Sequence, residues 1–124
     1  TIPYNEFFRE ELEVASGHLM LAAELCEEAE LKNYLELRAK ALLSNEYDAS
    51  DIAWINMKNN TLDIIIGPTE HYEDQLYNYR TAYEAYILVK DKTWSKKLEK
   101  YISYLPQLQA NLPVDAKYKA ETPN

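Results

Sequence analysis

Residues 61–90, TLDIIIGPTEHYEDQLYNYRTAYEAYILVK, decide between an α+β fold and a purely helical one. A β-branched run of three isoleucines, closed by Gly67-Pro68, predicts a buried strand over residues 61–66. Residues 81–90 alternate between two faces and predict a second strand, although their Ala and Glu residues would also suit a helix. Because two strands alone form only a marginal sheet in water, they must lie against helices or join strands of a larger protein.

Upstream of this stretch, apolar residues recur at helical spacing and predict two helices that pack as an antiparallel hairpin. The first helix has Asn5 as its predicted N-cap. Its apolar stripe consists of Phe8, Leu12, Ala15, Leu19, Ala22, Cys26 and Ala29. The second helical pattern, which ends at Ser44-Asn45, consists of Leu31, Tyr34, Leu35, Arg38 and Leu42. Residues 47–51 then offer capping side chains for a short helix or turn over residues 52–55.

Downstream, Asp91 or Thr93 can cap a last helix. Its apolar period continues through Pro106 with a predicted kink and ends at Leu112-Pro113. The predicted fold class is therefore α+β and mostly helical. It comprises a helical hairpin, a small antiparallel β element and a C-terminal helix.

Composition limits the partners and the compartment. The chain has 13 Lys and Arg against 21 Asp and Glu, a net charge of -8 without a basic stripe, which argues against nucleic acid and anionic membranes as partners. No apolar run approaches the roughly 20 residues that span a bilayer. Cys26 is the only cysteine, so an intrachain disulfide and a cysteine-based zinc site are excluded. On the apolar stripe, this thiol should be buried and inert. A cytoplasmic location is expected and a periplasmic one is left open.

Both ends of the chain indicate part of a longer protein. The chain begins without a methionine, and residues 115–124 form a polar stretch without a hydrophobic pattern. We expect residues 1–113 to form a single domain, which suits the length, and residues 114–124 to form a linker.

The connection between the predicted strands, residues 67–80, is dense in ionisable and aromatic side chains. In extended backbone Glu70 and Tyr72 point the same way. A carboxylate beside a phenol is suited to binding an ammonium group and to donating a hydrogen bond to a carbonyl. A solvated turn is the alternative. A metal site on the neighbouring His and acidic residues is disfavoured, because adjacent residues rarely converge on one ion.

The same connection carries a recognisable motif. Glu70-His71-Tyr72-Glu73-Asp74 has the form Glu-x-Tyr-x-Asp and precedes Tyr83-Glu84-Ala85-Tyr86, an aromatic-Glu-small-aromatic strand. This arrangement resembles the dipeptidyl peptidase III family of zinc metallopeptidases. Residues 48–54 and 94–113 are also similar to bacterial members. The likeness runs from about Leu35 to the end and, more weakly, through the helical start.

The resemblance implies a larger two-lobed enzyme that releases dipeptides from the amino end of short peptides bound between the lobes. Glu70 matches the glutamate that binds the free amino group of the substrate. Tyr72 matches a catalytic tyrosine that hydrogen-bonds the scissile region in the transition state. Structural positions of the motif are matched by Gly67, Pro68, Asp74 and Glu84. Asn78 stands where many members have Gly, and Asn also tolerates left-handed backbone.

The resemblance also implies a zinc ion, for which this chain lacks the motif. The family's ligands come from a His-Glu-x-x-His type helix and a later glutamate, but neither His18 nor His71 is followed by Glu. We therefore expect no metal ligands and no cofactor in this chain, and zinc in the intact enzyme. Some relatives are fused to, or named as, Nudix hydrolases. Neither Gly17 nor Gly67 is followed by the Arg-Glu-x-x-Glu-Glu of a Nudix box, so pyrophosphatase activity is rejected.

These observations predict a fragment of a substrate-binding lobe that is inactive alone. Its expected partners are short peptides in the intact cleft and the missing zinc-binding lobe. The alternative is a free-standing helical interaction module whose partner surface uses some of the eleven tyrosines. An independent hydrolase built on His71, Glu73 and Asp74 is the least favoured hypothesis.

Overall fold

The computed structural model describes residues 2–70 and 82–119 of the chain. The chain divides into two compact units, Thr1–Val89 and Lys90–Asn124. The first unit contains α1 (Tyr4–Phe7), α2 (Arg9–Leu25), α3 (Ala29–Ser44), α4 (Asp48–Asn56), β1 (Leu62–Glu70) and β2 (Ala82–Val89). The second contains α5 (Lys92–Ile102), α6 (Leu105–Ala110) and a 3-10 turn, Ala116–Tyr118. The predicted α+β, mostly helical class is confirmed. The single domain over residues 1–113 and the linker after it stay predictions.

Helices α2 and α3 form the predicted antiparallel hairpin. Ser16 Oγ donates to the carbonyl of Ala39 at 2.8 Å, and Asn5 Nδ2 donates to the carbonyl of Leu43 at 3.0 Å. Asn5, which precedes α2, and Ser16, in the middle of α2, thus both contact the second half of α3, with the earlier residue bonded to the later one, as in an antiparallel pair. The buried core of the unit consists of Leu12, Leu19, Ala23, Leu31, Tyr34, Leu35, Ala39, Leu42 and Met57.

The start and end of the hairpin differ in how well they were predicted. Asn5 is not an N-cap, because it lies inside α1 and its side chain bonds Leu43 of the other arm. The long helix α2 begins after Phe8 without a side-chain cap. At the other end, α3 stops where predicted. Asn45 adopts left-handed backbone with φ 64°, a conformation that Asn tolerates and that ends helices.

Helix α4 begins earlier than predicted, at Asp48, so most of the expected capping residues lie inside it. Tyr47 precedes the helix, and Ser50 Oγ donates to the Tyr47 carbonyl at 2.7 Å. The thiol of Cys26 also differs from its prediction. Cys26 is the residue after α2, is only half-buried, and its Sγ lies 3.4 Å from the carbonyl oxygen of Glu28.

Strands β1 and β2 pair antiparallel, from Leu62 opposite Val89 to Gly67 opposite Glu84. Residues 82–89 are therefore a strand, and the helical alternative is wrong. Gly67-Pro68 does not close β1, since the pairing continues with Pro68 opposite Tyr83. A proline suits this position because β1 has only one strand neighbour among the described residues, so a missing N–H need not break a ladder.

One end of the sheet lies against the helices. Ile64, Ile66 and Tyr83 pack on the buried core, whereas Ile87 and Val89 at the other end of β2 are each 74% exposed. Of the two expected arrangements, packing against helices or pairing with strands from elsewhere, the structure shows packing against helices at the end of the sheet that contains Gly67.

In the second unit, Asp91 caps α5 as predicted, accepting hydrogen bonds from the backbone N–H groups of Thr93 at 2.8 Å and Trp94 at 3.1 Å. The single kinked helix is wrong, because two helices form with a break between them. Pro106 lies in the first turn of α6, where its missing N–H costs no helical hydrogen bond. None of the described residues of α5 and α6 is buried. Across residues 2–70 and 82–119, no helix is long and apolar enough to cross a membrane.

Candidate functional site

Four of the predicted site residues lie in the described sheet, Gly67, Pro68 and Glu70 in β1 and Glu84 in β2. Glu70 is the last residue of the strand, and its backbone pairs with Ala82. Tyr72 and Asp74, together with His71 and Glu73, lie outside the described residues. Their roles and that of the Glu70 carboxylate stay predictions.

A β-bulge lies just before Glu70. Pro68 pairs with Tyr83 and Glu70 pairs with Ala82, so Thr69 is an extra residue in β1. Thr69 Oγ1 donates to Glu84 Oε2 at 2.8 Å, which links the bulge to β2. Bulges bend a strand and re-aim the residues that follow, and they are common beside active sites. Glu84, a predicted motif residue, therefore contacts the segment that leads to Glu70.

Gly67 allows a close approach between β1 and the helical layer. Its φ of 132° is one that residues with a side chain rarely adopt. A methyl group at this position would lie 3.3 Å from Tyr47 Cε1 and 3.4 Å from Arg38 Nη1. This glycine is thus required by both its backbone conformation and its neighbours.

A buried arginine lies beneath Gly67. The Arg38 side chain is only 10% exposed, and its Nη2 forms an ion pair with Asp51 Oδ1. The guanidinium carbon lies 5.4 Å from the ring centroid of Tyr34 and 5.2 Å from that of Tyr47. Arg38 Nε is buried without a hydrogen-bond partner among the described residues. The cation is therefore held between two aromatic rings and one carboxylate.

Tyrosine contacts continue from this arginine to β2 and α1. The hydroxyl oxygens of Tyr47 and Tyr83 are 2.8 Å apart, and their rings meet edge to face at 6.4 Å. Tyr83 stacks on Tyr4 with ring centroids 3.6 Å apart. Burial raises the pKa of Tyr47 far above its ordinary value, and the hydrogen bond to Tyr83 raises it further. Tyr47 is therefore a neutral phenol at physiological pH.

Two clefts flank these contacts. One, of about 340 Å³, is lined by Arg38, Tyr47, Asp51, Trp54, Gly67 and Thr69, among others. The other, of about 350 Å³, is lined by Tyr4, Phe8, Glu11, Leu42, Tyr83 and Glu84, among others. The first contains a compensated charge pair beside β1, and the second is largely apolar. Neither has a set of metal ligands, since no group of three or more His, Cys, Asp or Glu suited to a metal occurs among the described residues.

The sequence patterns do not predict Arg38, Tyr47 and Asp51 as parts of this region. One signal was present, because Arg38 is the single charged member of the apolar stripe of α3, and a charge on a buried face needs a partner. Tyr47 and Asp51 stand in a segment that predicts only capping near a helix start.

Comparison with known proteins places the chain in a family of peptidases. The model of peptidase family M49 matches residues 4–123, and the chain belongs to this family. Two solved structures agree with this assignment. The structure of DPP III from Caldithrix abyssi has 44% sequence identity and a TM-score of 0.85 over 96% of the chain. The structure of dipeptidyl-peptidase III from Corallococcus sp. strain EGB has 39% identity and a TM-score of 0.80 over 98% of the chain. The predicted resemblance is confirmed.

The chain spans a small part of these relatives. It covers 23% of the Caldithrix structure and 22% of the Corallococcus structure. A curated protein, Nudix hydrolase 3 of Arabidopsis thaliana, is 40% identical over 120 residues, which is 97% of this chain but 15% of that protein. The chain therefore corresponds to one segment of these longer proteins.

Proposed function

We propose that this chain is part of the substrate-binding lobe of a zinc dipeptidyl peptidase, which releases dipeptides from the amino end of short peptides. The observation that carries the proposal is the position of Glu70 in a chain of family M49. Glu70 ends a bulged strand that is anchored to the helical core, and Tyr72 and Asp74 of the family's motif follow it. A rigid strand end is a suitable support for a residue that must meet a substrate atom.

In this proposal Glu70 recognises the amino end of the peptide, and Tyr72 acts in catalysis. The Glu70 carboxylate accepts hydrogen bonds from the ammonium group of the peptide. Such charge-assisted bonds contribute about 1.5–3 kcal/mol. The Tyr72 hydroxyl donates to the carbonyl near the scissile bond, where a bond that strengthens in the transition state raises kcat.

Zinc belongs to another part of the intact enzyme in this proposal. The described residues of this chain do not fit the metal, since they contain no suitable ligand group, and neither histidine begins the zinc motif. We therefore propose that the chain alone is inactive. Residues 1–113 would belong to the substrate-binding lobe, and residues 114–124 would lead towards the zinc-binding lobe. The acidic composition argues against nucleic acid and anionic membranes as partners, and the single cysteine favours a cytoplasmic enzyme.

The test uses the full-length protein that contains this chain, loaded with zinc. We expect it to release dipeptides from chromogenic dipeptidyl substrates. Glu70→Gln should lower kcat/KM by roughly tenfold or more, because about 1.4 kcal/mol corresponds to tenfold. Tyr72→Phe should mainly lower kcat. Zinc content and the circular dichroism spectrum should be unchanged in both variants. A zinc-loaded protein that releases no dipeptide would contradict the proposal.

The alternative, a helical interaction module, has one observation in its favour. Apolar residues of α5, among them Trp94, Leu98 and Tyr101, are more than half exposed. Such residues suit a partner surface. The open reading frame around this chain separates the two functions, because the peptidase requires a His-Glu zinc motif downstream and the free-standing module does not.

A further inference from the structure

The ion pair of Arg38 and Asp51 lies under the strand end that the proposed function uses, although neither residue belongs to the predicted motif. Arg38 is buried on α3, and Asp51 reaches it from α4. Burying an arginine is costly, and apolar residues of similar volume often give equal or greater stability. Its Nε also lacks a partner among the described residues, which adds to the cost. Stability alone is a weak reason for an arginine at this position.

Gly67 packs against the Arg38 guanidinium and the ring of Tyr47. The two atoms nearest to a methyl group on Gly67 would be Tyr47 Cε1 and Arg38 Nη1, at 3.3 and 3.4 Å. Tyr47 is itself fixed, because its hydroxyl bonds that of Tyr83 and Arg38 lies over its ring. A change in the position of Arg38 therefore shifts both groups that support this glycine.

Only two residues separate Gly67 from Glu70. Pro68 restricts the backbone, and Thr69 forms the bulge and bonds Glu84 across the sheet. Because these two residues have little conformational freedom, a displacement of Gly67 should also displace Glu70. This short, constrained path connects the buried ion pair to the strand end.

We propose that Arg38, paired with Asp51 and Tyr47, is a positioning residue that sets how well the site prefers peptides with a free amino end. It acts through Gly67 and the bulge on Glu70, and it touches no substrate. The inference rests on the proposed function. A planar guanidinium is required because it meets Asp51 and lies over two rings at once, which the single ammonium of lysine does not reproduce.

The experiment uses the full-length, zinc-loaded protein and the variants Arg38→Lys and Glu70→Gln, alone and combined. Tetra-alanine with a free amino end and with an acetylated amino end are the probes. Each is measured as a competitive inhibitor of chromogenic substrate hydrolysis, and the ratio of the two inhibition constants reports recognition of the ammonium group. The matched control is Arg9→Lys, which alters an exposed arginine paired with Glu13 on the same helix.

We expect Arg38→Lys to reduce the preference for the free amino end by about tenfold, since a displacement of about 1 Å in a positioned group can cost up to about 100-fold. In the Glu70→Gln background Arg38→Lys should have no further effect on the ratio, because the group that it positions is already lost. Arg9→Lys should leave the ratio unchanged. A merely structural role would lower the amount of active enzyme and leave the ratio of inhibition constants unaltered.

An unchanged ratio in folded Arg38→Lys, with a reduced ratio in Glu70→Gln, would overturn this inference and leave the proposed function intact. An unchanged ratio in Glu70→Gln would overturn the proposed function itself. If Arg38→Lys does not fold, Asp51→Asn replaces it, because Asp51 is 53% exposed and Asn keeps its shape. A reduced ratio in Asp51→Asn supports the inference, and an unchanged ratio overturns it.

Discussion

The hydroxyl groups of Tyr47 and Tyr83, 2.8 Å apart, join the residue before α4 to strand β2. The contact spans 36 residues of sequence and lies between the buried Arg38 and the stacked ring of Tyr4. It therefore links the helical layer to the end of the sheet from which Glu70 emerges.

Tyr47→Phe should lower the free energy of unfolding by about 1 kcal/mol, because a half-buried hydrogen bond is lost while the aromatic ring remains. Urea denaturation of the 124-residue chain measures the change. Tyr101→Phe is the matched control, since Tyr101 is 64% exposed and should change stability much less. Equal effects of the two substitutions would show that the contact between Tyr47 and Tyr83 contributes nothing.

Stability should fall in alkaline solution. Burial raises the pKa of Tyr47, Tyr34 and Tyr4 in the folded chain above the value of 10.0 that is usual for tyrosine. Above pH 10 these tyrosines ionise in the unfolded chain before they ionise in the folded chain, because their folded pKa values are raised. Their contribution to the free energy of unfolding is therefore fully present below pH 10 and is lost as the pH rises above it. The stability difference between the wild-type chain and Tyr47→Phe should therefore narrow above pH 10. Urea unfolding at pH 8, 10 and 11 measures it, and a constant difference would contradict the assignment.

Replacement of each glycine by alanine should change the stability of the chain in opposite directions. Gly67→Ala should destabilise the chain by about 1–3 kcal/mol, because the residue has φ 132° and a methyl group would crowd Tyr47 and Arg38. Gly17→Ala should stabilise it by roughly 0.5–1 kcal/mol, since Gly17 lies inside α2 and, apart from its chain neighbours and the nearby backbone of its own helix, no described atom lies within 4 Å of the added methyl group. Denaturation midpoints of both variants test the pair. A neutral Gly67→Ala would mean that β1 can shift away from the helices.

Removing the cap of α5 should weaken this helix. Asp91→Ala loses both hydrogen bonds to the first turn, and loss of an N-cap costs about 0.5–2 kcal/mol. Asp91→Asn should retain most of the stability, because its amide oxygen can accept the same bonds. The helical circular dichroism signal of the chain during thermal unfolding distinguishes the two variants. Equal loss in both would assign the effect to charge instead of to capping.

Elements that depend on residues close together in the sequence were predicted correctly, whereas features that depend on distant residues were not. The stop of α3 at Asn45, the cap at Asp91 and the strand over residues 82–89 depend on neighbouring residues, and all three were predicted. The break between α5 and α6 was not predicted. The apolar pattern continues through Pro106 and is compatible both with one kinked helix and with two separate helices. Gly67-Pro68 predicts a strand end, since glycine and proline commonly mark turns. Pairing with Tyr83 and Glu84 extends β1 instead.

By itself, the sequence determined the helical hairpin, the two strands, the resemblance to the peptidase family and the absence of its zinc motif. These depend on local spacing and on residue types that stand close together in the chain. Only the tertiary structure decided that Arg38 is buried against Asp51 and Tyr47, and that Gly67 rests on them beside the bulge at Thr69. Those contacts join residues from α3, α4 and β1, and hydrophobic periodicity carries no information about which polar groups meet once the elements pack.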